Sequence, residues 1–295
     1  MPPAAARRLQ LIRHRSPLGA WEYVFADPAP PLAGIVRRYC GYDERTPGPI
    51  RRRELPGAQV VLIIDLGPAL RLHDRARPGQ VARHAGGFAA GLDDGFTLVE
   101  TEGEMRGVQV DLTLVGARRL LGRQVAGLAG QVAALSALDV PALRGAAERL
   151  GNARGWAERF DLLDALLCAA AGRATALPRW IGWACRRIED AAGRLEVTGL
   201  AREAGVSRKH LAESFRAELG MTPKRLARLV RFERLLAALR AGPDAPGDWT
   251  LAALAHGYYD QAHFTREFRA FTGLTPGELR RRLRPDLGGV VEPEP

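Results

Sequence analysis

The chain has 295 residues, with 43 basic and 33 acidic side chains and a formal net charge of +10. That length fits about two domains, and 46% hydrophobic residues is ordinary for a globular protein. Three widely spaced cysteines (Cys40, Cys168, Cys185) form no CxxC pair, which excludes a zinc ribbon and a disulfide framework and predicts free thiols. No apolar run approaches the roughly 18 residues that a membrane span needs. The early arginines Arg7, Arg8, Arg13 and Arg15 are followed by no apolar signal core. The chain therefore reads as cytoplasmic, without a membrane partner.

A basic balance points to a polyanionic partner. Only two lysines occur, Lys209 and Lys224, so the charge is almost all arginine, which nucleotide composition alone can produce. Its location is more telling. Residues 178–285 hold 20 basic against 12 acidic side chains, whereas the rest of the chain holds 23 against 21. A compositional bias would spread evenly, so the C-terminal third has its own reason to be basic.

In chain order, residues 1–53 look irregular and rich in Pro and Arg. Trp21, Tyr23 and Phe25 alternate at a spacing of two, which puts all three on one face of an extended segment. Residues 59–66, QVVLIIDL, have the pattern of a buried strand. Short strands are also predicted at 69–73, 86–91, 96–101 and 105–114. Closely spaced short strands predict a small antiparallel barrel or sandwich. From about Leu114 the periodicity becomes helical, over 116–128, 140–150 and 156–171. Asp139 is placed to cap the second of these helices, with Pro141 in its first turn. On the third, Phe160, Leu163, Leu166 and Leu167 share one face, suited either to core packing or to a dimer interface. Residues 172–178 read as a linker. Helical periodicity then runs from Trp180 to Leu283, and 285–295 has the composition of a disordered tail.

The C-terminal region contains one unit twice. Thr198, Ala201 and Gly205 recur at an offset of 52 as Thr250, Ala253 and Gly257. After one inserted residue, Phe215, Arg216, Ala217, Gly220, Thr222 and Pro223 recur at an offset of 53 as Phe268, Arg269, Ala270, Gly273, Thr275 and Pro276. Thr198 and Thr250 are placed to cap a first helix. Ala201 and Ala253 are small enough for a close helix crossing. Gly205 and Gly257 suit a left-handed helix end. Ser207 and Asp260 are placed to cap a second helix, whose inward pairs are Leu211 with Phe215 and Phe264 with Phe268. Gly220 and Gly273 stop that helix. Helix, glycine turn, helix is the helix-turn-helix pattern.

At roughly 100° per residue, the opposite face of the second helix carries Lys209, Glu213 and Arg216 in the first copy. In the second copy it carries Ala262, Arg266 and Arg269, flanked by Gln261 and His263. Arg, Gln and His side chains hydrogen-bond base edges in the major groove. Between the units, residues 223–240 predict one helix with Leu226, Leu229, Val230, Leu236 and Leu239 as its apolar stripe. Such a helix is about 27 Å long, against about 34 Å between successive major grooves.

The stretch GYYDQAHFTREFRAFTGLTP, residues 257–276, closely resembles the second helix-turn-helix of the AraC/XylS family of transcriptional regulators. LAREAGVSRKHLAESFRAELGMTPKRL, residues 200–226, resembles the first. The resemblance spans about residues 180–282. It implies a monomer-like module of seven helices that binds two adjacent major grooves. Departures are Ala252 where a larger aliphatic is common, Leu235 where alanine is common, and Glu213 and Ala262 at base-facing positions. The N-terminal half resembles more weakly the cupin-like barrel and helical segment that often precede this module and that sense an effector or dimerise.

The expected fold is α+β. A small antiparallel, cupin-like β-barrel serving as sensor (1–115) leads into a helical segment and linker for dimerisation (116–177). An all-α DNA-binding domain with two helix-turn-helix units (178–285) and a disordered tail (286–295) follow. The expected function is effector-responsive, sequence-specific DNA binding in transcription regulation. Its partners would be double-stranded DNA, a small-molecule effector, RNA polymerase and a second copy of the chain. Neither a catalytic residue nor a cofactor is expected. Two enzyme readings compete. A cupin-like metal site needs clustered histidines, but His73 and His84 stand eleven apart with no His-x-His pair. DNA-repair alkyl transfer needs an activated thiolate, and Cys40, although near Arg37 and Arg38, lies in no recognisable motif. An architectural DNA binder would favour wedges and uniform charge over Gln261, His263 and Arg266.

Overall fold

The computed structural model describes residues 8–75, 77, 79–172, 177–240, 249–284 and 289–292. It is α+β, with antiparallel sheets first and helices after. The strands are β1 (Leu9–Ser16), β2 (Gly19–Ala26), β3 (Val36–Arg45), β4 (Ile50–Glu54), β5 (Val60–Asp65), β6 (Arg71–His73), β7 (Val81–Arg83), β8 (Phe88–Ala90), β9 (Thr97–Thr101), β10 (Glu104–Leu112) and β11 (Val132–Ala134). They form a seven-stranded sheet in the order β1-β2-β3-β10-β5-β8-β11 and a four-stranded sheet in the order β4-β9-β6-β7. The sheets do not close into a barrel; two open sheets face each other, which is the sandwich alternative of the sequence pattern.

Strand β5 shows why a continuous apolar run belongs here. Val60, Leu62 and Ile64 are wholly buried in the main core, while Ile63 joins Leu70, Leu72 and Phe88 in a second cluster between the sheets. Alternate side chains of one strand thus fill two different interiors, which removes the usual polar alternation. Residues 8–53, expected to be irregular, supply four strands instead. Their charges mask the strand alternation, because the arginines point outward or meet carboxylates across the sheets, as Arg52 does with Glu44. The aromatic row is confirmed on β2, with Trp21 and Tyr23 centroids 4.8 Å apart and Tyr23 and Phe25 6.4 Å apart.

Helices α1 (Leu114–Leu121), α2 (Gln124–Gly127), α3 (Ala146–Gly151) and α4 (Trp156–Ala171) cover the other face of the large sheet. Phe160, Leu163, Leu166 and Leu167 are all buried within this chain. That is the core-packing alternative, so the face is not open to a second copy. Phe160 stacks on Tyr39 at 5.5 Å, and the Tyr39 hydroxyl donates to Asp164 at 2.7 Å. Trp156 lies so close over β3 that a Cβ at Gly41 would meet its ring at 2.3 Å, so only glycine fits there. Asp139 does not cap: a short 3-10 turn, Pro141–Leu143, starts at Val140 without a side-chain cap. Of the expected linker, residues 173–176 lie outside the described residues.

The C-terminal part contains α5 (Arg179–Asp190), α6 (Val197–Glu203), α7 (Arg208–Leu219), α8 (Pro223–Arg240), α9 (Trp249–Ala255), α10 (Gln261–Thr272) and α11 (Pro276–Arg282). These are seven helices among the described residues. The tail departs from expectation over residues 289–292. Strand β12 (Leu283–Arg284) pairs with β13 (Gly289–Val290), Val290 is 3% exposed, and Glu292 is held by Arg53 at 2.7 Å and Arg282 at 3.0 Å. Composition suggested disorder because the partners that order this segment lie far away in sequence. No helix among the described residues is long and apolar enough to cross a membrane.

Candidate nucleic-acid interface

Both repeats fold as helix, turn, helix. Gly205 (φ 68°) and Gly257 (φ 85°) make the left-handed turns, and Gly220 (φ 75°) and Gly273 (φ 69°) end the second helices. L-residues with a Cβ resist this region. Ser207 accepts from the His210 backbone N–H at 3.1 Å, and Asp260 from that of His263 at 2.6 Å. Each cap satisfies a donor that the first helical turn leaves unpaired. The inward pairs Leu211 with Phe215 and Phe264 with Phe268 are buried, as their four-residue spacing requires. Thr198 is not a cap: α6 starts after Glu196, which places Thr198 inside the helix. Thr250 likewise falls inside α9, and its side chain, with those of Ala252 and Leu239, lies outside the described residues.

Helix α8 supports the second unit. Leu226, Leu229 and Val230 are buried, and Phe232 lies 4.6 Å from Phe271 and 5.8 Å from Phe268 between ring centroids. Arg228 and Arg231 of α8 reach buried Glu267 of α10 at 2.9 and 3.4 Å. The first unit is braced from elsewhere. Glu218 of α7 is gripped by Arg118 of α1 at 2.6 Å and by Arg123 at 3.0 Å. The Arg118 guanidinium hydrogen-bonded to Glu218 holds that carboxyl below the usual range, against the opposing effect of burial. These anchoring arginines and glutamates were not found from the sequence. They look like ordinary helix-surface charges until their partners are in place.

On α7, Lys209, Glu213 and Arg216 are exposed, and Lys209 pairs with Glu213 at 3.8 Å. On α10, Gln261, Ala262, Arg266 and Arg269 are exposed. His263 stands apart. It is half-buried, its Nε2 lies 3.7 Å from Glu267, and its Nδ1 accepts from the Tyr259 backbone N–H at 3.4 Å. Tyr259, which lies outside the predicted recognition face, is 88% exposed beside the Asp260 cap. Its position, immediately outside the predicted second helix, was the available signal.

The competing enzyme residues have other occupations. His73 Nε2 lies 3.0 Å from Glu100, which also binds Arg51 and Arg71. Burial pushes the Cys40 thiol up to about 12, the opposite of the activation that thiolate chemistry needs.

Residues 200–282 match a family model described as a helix-turn-helix domain. No curated protein matches the chain. Among solved structures, ToxT from Vibrio cholerae O395 is similar at 11% identity, covering 82% of this chain and 98% of its own, with a TM-score of 0.47. The AraC-like transcriptional activator CuxR is similar at 15% identity, covering 85% of this chain and 100% of its own, with a TM-score of 0.33. Capped, glycine-punctuated helix pairs and the matched family model agree that residues 200–282 form a helix-turn-helix domain.

Proposed function

We propose that the chain is a sequence-specific, effector-responsive transcriptional regulator that reads two adjacent major grooves, one with α7 and one with α10. The observation that carries this reading is the pairing of two like-built units, each with an exposed polar face on its second helix, across the single helix α8. The 18 residues of α8 span about 27 Å, and the widths of the units add to that toward the about 34 Å groove repeat. The concentration of basic residues in 178–285 supplies attraction to phosphate. Arg266, Gln261 and Arg269 supply side chains suited to base edges. The domain plan of a sensor at 1–115, a helical segment at 116–177 and a reader at 178–285 belongs to the same reading, and so does work in the cytoplasm. RNA polymerase is a partner only in this sense. A homodimer would need a surface other than the buried face of α4.

Selection of the full-length protein against a random duplex library, at one stated salt concentration, tests the proposal. The expected result is an enriched site with two short motifs about 10 base pairs apart, one for each unit. Enrichment of a single motif would refute the two-groove reading, and no enrichment would refute sequence-specific binding.

A further inference from the structure

Four strands stand at the ends of the two sheets, and three of those edges are guarded. Strands β7 and β11 are only three residues long. Strand β4 is met along its outer side by the tail, through a bridge between Arg52 and Val291 and the Glu292 N–H donated to the Arg51 carbonyl at 2.9 Å. Strand β1 is different. It has eight residues, pairs only with β2 among the described residues, and keeps one register from Leu9 opposite Ala26 to Ser16 opposite Gly19. Neither a proline nor a bulge interrupts it. Its outer side therefore offers a row of backbone donors and acceptors, the feature that proteins ordinarily shorten, bend, charge or cover.

The side chains point the same way. Leu9 stands opposite Ala26 and Leu11 opposite Val24, on the face that forms the main core. Val24 and Ala26 are buried, yet Leu9 is 36% and Leu11 46% exposed. On the other face Ile12 stands opposite Tyr23 of the aromatic row and is 40% exposed. Both apolar layers of the large sheet thus run out to β1 and stop there uncovered. Arg13 is turned back onto Glu22 at 2.7 Å, which lessens its repulsion of a neighbouring strand.

A strand that continues both layers must be apolar on both faces, and β1 is itself such a strand. We infer that β1 pairs antiparallel with β1 of a second copy and joins the two large sheets across a two-fold axis. An axis normal to the sheet keeps each side chain on its own face, so it must pass through a residue position rather than between two. Centring it on Arg13 would set two arginines directly opposite each other, which is destabilising. Centring it on Gln10, Leu11 or Ile12 avoids this and gathers Leu9, Leu11 and Ile12 with their copies. The pairing does not depend on the regulator reading. It names a surface for a homodimer, which the buried face of α4 does not offer.

Sedimentation of the full-length protein over a wide concentration range tests the inference. The expected result is a reversible monomer–dimer equilibrium. Leu11→Arg and Ile12→Arg, on opposite faces, should each raise the dimer dissociation constant by about tenfold or more, because each change counts twice across the axis. Leu18→Arg is the control. Its side chain is 51% exposed but lies in the turn beyond the ladder, so dimerisation should persist. Thermal melts would confirm that the variants are folded. Hydrogen exchange reads the pairing itself: alternate β1 amides point away from β2, and their exchange should slow as the dimer forms. A monomer at every concentration overturns the inference and leaves the edge to a strand of another protein. A dimer that survives both arginine variants, one lost equally in Leu18→Arg, or one whose outward β1 amides stay fast overturns it too. Duplex binding is measured separately on the same preparations. A dimer that binds no duplex refutes the regulator reading alone, and a monomer that binds duplex refutes the pairing alone.

Discussion

The two helix-turn-helix units share their caps, turns and inward aromatic or aliphatic pairs, yet they are braced and charged differently. The first is anchored through Glu218 to Arg118 and Arg123, two arginines of the N-terminal half. The second is anchored through Glu267 to Arg228 and Arg231 of the connecting helix, and Arg53 of β4 donates to the Thr272 carbonyl at its end at 2.6 Å. On the exposed faces, Lys209 pairs with Glu213 in the first unit, whereas the second carries two arginines, Arg266 and Arg269, the latter near Glu278 of α11. A repeat therefore conserves what makes a helix pair and leaves free what faces outward or holds it in place. We expect the second unit to carry more of the sequence discrimination and the first to depend more on the N-terminal half.

The largest effect should come from removing the first unit's anchor. Arg118 is 2% exposed, and its loss leaves Glu218 with a single, exposed partner, Arg123. Arg118→Ala should destabilise the protein by about 3–5 kcal/mol, the range for breaking a buried ion pair, read from urea unfolding. A loss under about 1 kcal/mol would put this bridge in the class of surface pairs and erase the contrast in bracing.

Next in size is the reading face of α10. Arg266→Ala should cost about 1–3 kcal/mol on the selected site and relax discrimination at one base pair. Titrations against the selected duplex and its single-position variants would measure both. If α7 is the reader instead, this variant will bind as the parent does.

The acid limb of stability offers a smaller test. The Glu218 carboxyl has its pKa lowered in the folded state, chiefly by its hydrogen bond from Arg118. A lowered folded-state value means that the stability it contributes is present above its unfolded value of about 4.5 and is lost as pH falls below that. Glu218→Gln should therefore flatten the decline below about pH 4.5 relative to the parent. An unchanged acid limb would show that the pair does not govern it.

Arg216→Ala should weaken binding to all duplexes alike and reduce the salt slope by about one unit, as loss of one phosphate contact does. A change confined to one sequence would instead make Arg216 a base reader. The smallest effect is expected for Glu213→Ala. Its carboxylate is repelled by phosphates, so affinity should stay level or rise, unless Glu213 accepts from a cytosine amino group. A site-specific loss in this variant, with none for Arg266→Ala, would reverse the assignment of the two units.

Sequence determined the local devices of this protein. Ser207, Asp260, the four turn glycines and the inward pairs act within one helical turn, so their spacing alone was legible. The run at 59–66 and the helix at 156–171 were equally plain, since their periodicity is intrinsic to the segment. Local signals also misled. Asp139 and Thr198 have capping chemistry, but packing starts those helices one residue after Asp139 and two residues before Thr198. What only the tertiary structure decided is long in range. It paired the strands of residues 9–54 into two open sheets and left a cavity between them. It ordered residues 289–292 against β4, turned His263 toward Glu267, and matched Arg118 with Glu218 across a hundred positions of chain. An arginine on a helix carries no mark of its partner. Charge pairing depends on distance in space, and distance exists only once the hydrophobic faces have been buried.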